Sequence, residues 1–144
     1  MSEMTKVEIK NFLLQGTFTG KLATINKDGR PHVVPIWYTV DEDDNIIFNT
    51  GGKSVKAKNI RRDNRVRLCV DDQTPLFSFV TIDGVAEIIN KEPGEVYKWA
   101  KIIARRYMGH DKSEEYGRRN SAEGELLIKI KPTRVIGQKD IAAW

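Results

Sequence analysis

Cysteine occurs once in the 144 residues, at Cys69, and histidine only at His32 and His110. One cysteine excludes an intrachain disulfide and any multi-cysteine metal site. Two histidines far apart in sequence give a zinc centre too few ligands, so no metal is expected. No apolar run reaches about eighteen residues, which excludes an ordinary membrane-spanning helix, and no membrane partner is expected. The N-terminus lacks the apolar core of a signal peptide, so the expected location is cytoplasmic. Repeats, low-complexity tracts and linker-like stretches are also missing. A single domain over residues 1–144 is therefore expected. Neither a carboxylate pair nor a Ser-His-Asp set stands out, so no catalytic side chain is assigned.

The chain does contain enough apolar and charged residues, 40% and 31%, for an ordinary folded core. Its charge is unevenly placed. From Lys53 to Arg67 seven basic residues (Lys53, Lys56, Lys58, Arg61, Arg62, Arg65 and Arg67) face one acid, Asp63. That segment is net +6 in a chain of net +4, so the remainder is slightly acidic. A local excess needs a local reason. Thr50-Gly51-Gly52 reads as a flexible turn, and Ser54 as the N-cap of a short helix. The first turn of a helix leaves backbone N–H groups unpaired and usually carries an acid. Here it carries Lys56. Thr50, Ser54 and Lys56 have the chemistry to surround one phosphoryl group. The same segment also reads as a solvated basic helix or as a nucleic-acid contact. No readout residues or recognisable module accompany it, so a nucleic-acid partner is not expected.

Along the chain, Thr5 and Glu8 have capping-box spacing for a helix from Thr5 to Leu14. Strands are expected at Lys21–Asn26 and Arg30–Val40, joined by a turn carrying Asp28-Gly29. Pro31 and Pro35 place the second strand at an edge. A third strand follows an acidic turn and covers Ile46–Asn49. After the basic helix, Arg65–Val70 reads as a strand with Cys69 as a small buried hydrophobe, and Asp71–Pro75 as a turn. Phe77–Ile89 reads as a long strand interrupted at Gly84, apolar on both faces. Pro93 starts the longest helix, with Val96, Trp99, Ala100, Ile103 and Tyr107 on one stripe. Arg105 and Arg106 suit its C-terminal dipole. Asp111 is the expected cap of a second short helix. Glu125–Lys131 is a strand that Pro132 ends, and Arg134–Gly137 adds a last one. Closely spaced strands argue for an antiparallel meander. The expected fold is mainly β: a small barrel of six to seven antiparallel strands with three to four helices outside it.

The segments GKLATINKDGRPHVVPIWY, IIFNTGGKSVKAKNIRRDNRVRLCVDD, FVTIDGVAEI, WAKIIARRYMG and IKPTRVIG, in this order, carry a resemblance across nearly the whole chain. The chain resembles the pyridoxamine-phosphate-oxidase-like split β-barrel superfamily. Within it, the chain is similar to the short proteins that use the deazaflavin F420, such as F420-dependent biliverdin reductases. The resemblance implies an oxidoreductase that passes a hydride between reduced F420 and a planar conjugated acceptor: a biliverdin-like tetrapyrrole, a quinone or an enone. FMN is the alternative cofactor, and a non-catalytic flavin or F420 carrier the alternative role. It also implies a homodimer with cofactor sites at the interface. The implied cofactor contacts are Val33, Val34, Pro35, Ile36 and Trp37 along the ring, and Thr50, Ser54 and Lys56 at the phosphate. Lys58, Asn59, Arg61 and Arg62 complete the set, with the arginines and Lys58 toward the acidic tail of F420. Pyridoxamine phosphate oxidases are longer and place further basic residues near their C-terminus. Only Arg134 and Lys139 stand there in this chain, which argues against vitamin B6 oxidation.

Overall fold

Thr5 closes a capping box in the computed structural model, which describes residues 1–89 and 92–144. Its hydroxyl accepts from the Glu8 N–H at 3.2 Å, and the Glu8 carboxylate accepts from the Thr5 N–H at 3.0 Å. The helix it opens, α1 (Lys6–Leu13), follows a two-residue strand β1 (Ser2–Glu3) and buries Phe12 and Leu13. The chain then makes β2 (Gly20–Ile25), β3 (Pro31–Ile36), β4 (Thr39–Val40), β5 (Ile46–Gly51), α2 (Val55–Arg62), β6 (Arg65–Asp72) and β7 (Ser78–Ile88). It ends with α3 (Pro93–Met108), a 3-10 turn at His110–Lys112, α4 (Ser113–Arg119) and β8 (Glu125–Lys139).

All strands join one antiparallel sheet in the order β3-β2-β6-β7-β8-β5-β4, with β1 paired to β8. Alternate residues point inward, as a pleated strand requires. Leu22, Phe48, Leu68, Val70, Val80, Ile82, Ile128 and Ile130 meet in the resulting core with Tyr38. Burying each large apolar side chain is worth about 1.5–3 kcal/mol. On the other face of β5 and β8, Ile47 and Leu127 pack with Val96 of α3. The doubly covered strands are therefore β5 and β8. The outer face of β7 stays half-exposed, with Phe79 partly buried beside an exposed Phe77. The expected split β-barrel with helices outside it is the observed fold. Among the described residues there are eight strands: β1 is added, the expected Arg30–Val40 strand divides into β3 and β4, and the two expected C-terminal strands are one, β8.

Several expected boundaries move for identifiable reasons. The strand predicted over Arg30–Val40 breaks at Trp37-Tyr38. Tyr38 has its backbone N–H bonded to the Tyr107 hydroxyl at 3.3 Å and its carbonyl bonded to Arg106 at 2.9 Å. Side chains from α3 replace the ladder there. Pro132 does not end a strand. It opposes Gly84, while Arg134 opposes Asp83, so Thr133 is the extra residue of a bulge and β8 runs on. The missing proline N–H falls at that irregularity. Gly84 is needed on the facing strand, since a Cβ there would lie 2.6 Å from Ile130 and 2.8 Å from the Lys131 carbonyl oxygen. Asp71 and Asp72 belong to β6, not to the following turn. Asp111 does not cap α4: a 3-10 turn intervenes, and the Ser113 hydroxyl bonds the His110 carbonyl at 2.8 Å. Cys69 is only half-buried, on the outer face of β6. Burial and the nearby Asp71 carboxylate push its thiol pKa up, away from the thiolate.

Among the described residues, no helix is long and apolar enough to cross a membrane. No group of three His, Cys, Asp or Glu residues there is placed to hold a metal ion.

Candidate functional site

Between the C-terminal half of β5 and the start of α2, the chain turns through Gly51-Gly52-Lys53. Three bonds hold that turn. The Ser54 N–H donates to the Gly51 carbonyl at 3.0 Å, and the Gly52 N–H to the Gly124 carbonyl at 2.8 Å. Arg61 reaches back from α2 and donates to the Gly52 carbonyl at 2.6 Å. A Cβ on Gly52 would lie 3.0 Å from the Gly124 carbonyl oxygen. A side chain at that position would crowd the backbone of the Gly124 turn.

Ser54 caps α2, accepting from the Ala57 N–H at 3.2 Å. Its hydroxyl also meets that of the buried Thr50 at 3.0 Å. With Ala57 satisfied, helix geometry still leaves the N–H groups of Val55 and Lys56 without intrahelical partners. The first turn of α2 contains no acid. Lys56 is half-buried, and loss of water holds its pKa below the usual lysine value, opposed by the Glu125 charge.

Thr50, Gly51 and Lys56 line one side of a cleft of about 490 Å³, together with Pro35, Ile36, Trp37, Asn49, Ile103, Arg119, Asn120 and Glu125. Trp37 stacks on Tyr107 with ring centroids 5.2 Å apart and planes within 3°, and tilts against Tyr116 at 6.4 Å. The Tyr107 hydroxyl donates to the Phe18 carbonyl at 2.7 Å. Arg106 fixes the same corner, donating to the carbonyls of Gly16, Tyr38 and Leu13 at 2.8–2.9 Å. The wall is thus held rigidly by α3. Strand β3 ends the sheet, so one side of its backbone has no strand partner among the described residues. Asn49 places a buried side-chain nitrogen in the cleft region with no hydrogen-bond partner. An unsatisfied buried donor is uncommon and asks for a ligand or water.

The structure brings Pro35, Ile36, Trp37, Thr50 and Lys56 to this cleft, and Ser54 is bonded to Thr50 without lining it. Val33 and Val34 lie farther along the edge strand, and Val33 is 60% exposed. Lys58 is exposed on α2. Asn59 is elsewhere: 2% exposed, it donates to the Thr24 hydroxyl at 3.0 Å and to Asn26 Oδ1 at 2.9 Å, docking α2 on β2. Arg62 donates to the Ile25 carbonyl and to Asn59 Oδ1 at 2.9 and 3.0 Å. The arginines are therefore not idle charges. Sequence reasoning missed Asn49, Ile103, Arg119, Asn120 and Glu125. Asn49 adjoins Thr50 and was within reach. The others come from α3, α4 and β8, and only the fold collects them.

An antiparallel half-barrel with its helices outside defines the split β-barrel class of flavin-binding folds. Residues 5–139 match the pyridoxamine 5'-phosphate oxidase family, and the chain belongs to that family. The conserved hypothetical protein Rv2991 from Mycobacterium tuberculosis superposes with a TM-score of 0.83 at 29% identity, over 98% of this chain and 89% of its own. A structure described as an F420 reductase does so with a TM-score of 0.69 at 26% identity, over 87% of this chain and 94% of its own. A curated relative, the 5a,11a-dehydrotetracycline/5a,11a-dehydrooxytetracycline reductase of Streptomyces rimosus subsp. rimosus, is 39% identical over 71 residues. That match takes in 47% of this chain and 49% of the relative, about half the length of each.

Proposed function

We propose that this chain is an oxidoreductase that binds F420 in the Trp37–Lys56 cleft and passes a hydride from its reduced form to a planar conjugated acceptor. The observation that carries the reading is the pairing of two features in one cleft. Thr50, bonded to the α2 cap Ser54, and Lys56 line the cleft beside Trp37, which is stacked on Tyr107. The donor set fits a flavin-type group: the unpartnered Asn49 amide, the free first-turn N–H groups of α2 and one half-buried ammonium. Similarity to an F420 reductase and to a reductase of dehydrotetracyclines supports the reaction class.

When bound, the reduced deazaflavin supplies the hydride. The protein supplies position. Lys56 and the helix amides hold the phosphate, and the edge of β3 offers backbone groups to the polar rim of the ring. Trp37, held by Tyr107, keeps one side of the cleft flat and dry. Arg119 lines the same cleft and provides a cation for negative charge that develops during transfer. Acceptors of the expected class are tetrapyrroles, quinones and enones.

The chain is proposed to act as a homodimer with the cleft at the interface. Large apolar side chains left exposed, Val33 on the edge strand and Leu76-Phe77 ahead of β7, are what support it. FMN is the second reading. What favours it is that Arg61 and Arg62 are already bonded to backbone carbonyls, so the acidic tail of F420 is not needed to explain them.

Side-by-side fluorescence titration of the purified protein with F420 and FMN tests the cofactor, and F420 is expected to bind tighter. Stopped-flow absorbance of reduced F420 mixed with biliverdin, quinones or enones tests turnover. Tight binding without oxidation would leave a carrier in place of an enzyme.

A further inference from the structure

Glu125 is an unexpected neighbour for a phosphate site. It pairs with Gly51 across β5 and β8, and its Oε1 lies 4.0 Å from where a Cβ on Gly51 would stand. It lines the same cleft as Thr50 and Lys56. The charged residues lining that cleft, among those described, are Lys56 from α2, Arg119 from α4 and Glu125 from β8. The site is therefore two cations and one carboxylate. A cradle built to take as much negative charge as possible would omit the carboxylate.

We propose that Glu125 sets the specificity of the anion site, tuning it for a singly charged phosphodiester and against a doubly charged phosphomonoester. The proposal rests on the cofactor site described above and adds which phosphate chemistry it accepts. A phosphomonoester carries about −1.5 to −2 near neutral pH, with a second pKa of about 6. A diester carries a single charge. The second charge gains attraction to Lys56 and Arg119, but Glu125 cuts that gain by repulsion, and the dianion loses more hydration on entry. Burial shifts both Glu125 and Lys56 toward their neutral forms, and their opposite charges resist this. Burial raises the glutamate pKa while Lys56 and Arg119 pull it back down. Burial lowers the lysine pKa while Glu125 pulls it back up. The phosphate of F420 is a diester, joined on one side to the ring's side chain and on the other to the lactyl tail. That of FMN is a monoester. One carboxylate at this place thus discriminates between two cofactors whose ring systems are much alike.

The test is titration of wild type, Glu125→Gln and Glu125→Asp with F420 and FMN, read by ligand fluorescence at low salt. Glu125→Gln is expected to tighten FMN by about five- to tenfold and F420 by about two- to threefold, so that their ratio moves toward FMN. Glu125→Asp keeps the charge and the wild-type ratio. An unchanged ratio in Glu125→Gln overturns the proposal, as does equal loss of both ligands, which would make Glu125 a support for Lys56. A measurement on wild type guards against a variant that folds poorly. Lowering the pH from about 7.5 to about 5.5 protonates the monoester and not the diester, so the handicap of FMN relative to F420 narrows. A handicap that stays constant or widens counts against the proposal. If wild type binds neither cofactor, the cofactor site itself is wrong and this inference falls with it. If F420 binds and the ratio ignores Glu125, only this inference falls.

Discussion

The hydroxyl oxygens of Thr50 and Ser54 stand 3.0 Å apart across the Gly51-Gly52 turn. One residue ends a strand of the sheet and the other caps α2. Their contact joins barrel to helix at the point where Lys56 enters the cleft. The ammonium is thereby positioned by short, local connections and needs no distant element to place it.

Lys56→Ala is expected to weaken cofactor binding by about 1.5–3 kcal/mol, the worth of a charge-assisted bond plus the cost of an underpaired phosphate. That is roughly ten- to a hundredfold in dissociation constant. The fold should survive, since Lys56 carries no core packing. Calorimetric titration beside the wild type measures it, and equal affinities would reject the assignment.

Asn59→Ala separates scaffold from site. Its amide feeds Thr24 and Asn26, and the Thr24 hydroxyl is itself buried. Removing the amide is expected to cost about 1–3 kcal/mol of stability through unsatisfied partners. Urea unfolding reads this as a lower midpoint with unchanged slope. Under conditions where the variant is fully folded, cofactor affinity is expected to stay within about threefold of wild type, under 1 kcal/mol. A large affinity loss in a fully folded variant would return Asn59 to the binding set.

Tyr38 makes stability sensitive to alkali. Burial pushes its pKa up from 10 to about 12, with the nearby Arg106 opposing. The group binds its proton more tightly folded than unfolded. Its contribution is complete below about pH 10 and is lost as the pH rises toward 12. Tyr38→Phe is expected to lower stability at neutral pH by about 0.5–1.5 kcal/mol, since the bond to the Leu13 carbonyl is gone. It should also flatten the decline above pH 10. Urea midpoints at several alkaline pH values test the slope, and parallel curves for the two proteins would refute the linkage.

For the quaternary proposal, sedimentation equilibrium at micromolar protein is expected to give roughly twice 16.4 kDa. Val33→Asp on the exposed edge strand is expected to shift the distribution toward monomer. A wild type that sediments as a monomer would remove the interface from the account.

Local signals were the legible part of this chain. The Thr5–Glu8 box, the turn at Asp28-Gly29 and the Ser54 cap each depend on neighbours in sequence. The corner at Trp37-Tyr38 was not legible, because its hydrogen bonds come from Tyr107 and Arg106 about seventy residues away. Pro132 misled for a related reason: a proline stops a strand only where its N–H is needed, and the bulge at Thr133 removes the need. Of the near wall, Thr50 and Lys56 were named from the charge pattern and Pro35, Ile36 and Trp37 from the resemblance, while Asn49 between them was not named. The far wall could not be read. Arg119, Asn120 and Glu125 acquire a role only when α4 and β8 close on β5.

The acidic tail of F420 provides the last prediction. Surplus charge on α2 first suggested a tail site at Lys58, Arg61 and Arg62, yet the two arginines already serve the fold. Arg61 holds the Gly52 turn and Arg62 ties α2 to β2. Arg61→Ala would therefore loosen the phosphate turn as well as any tail contact, and its effect on affinity would be ambiguous. Lys58 is exposed on the same helix and makes a cleaner probe. Lys58→Ala is expected to weaken F420 binding only modestly, by about 0.2–1 kcal/mol, as exposed ion pairs do. Its distinctive mark is salt. The decline of F420 affinity between low and high salt should be shallower in Lys58→Ala than in wild type, because one screened pair has been removed. FMN has no carboxylate tail, so its affinity and salt slope should be the same in both proteins. Fluorescence titrations of both ligands at two salt concentrations decide the matter. Identical F420 slopes would show that the tail does not use this helix face. A parallel loss for FMN would place Lys58 at the phosphate.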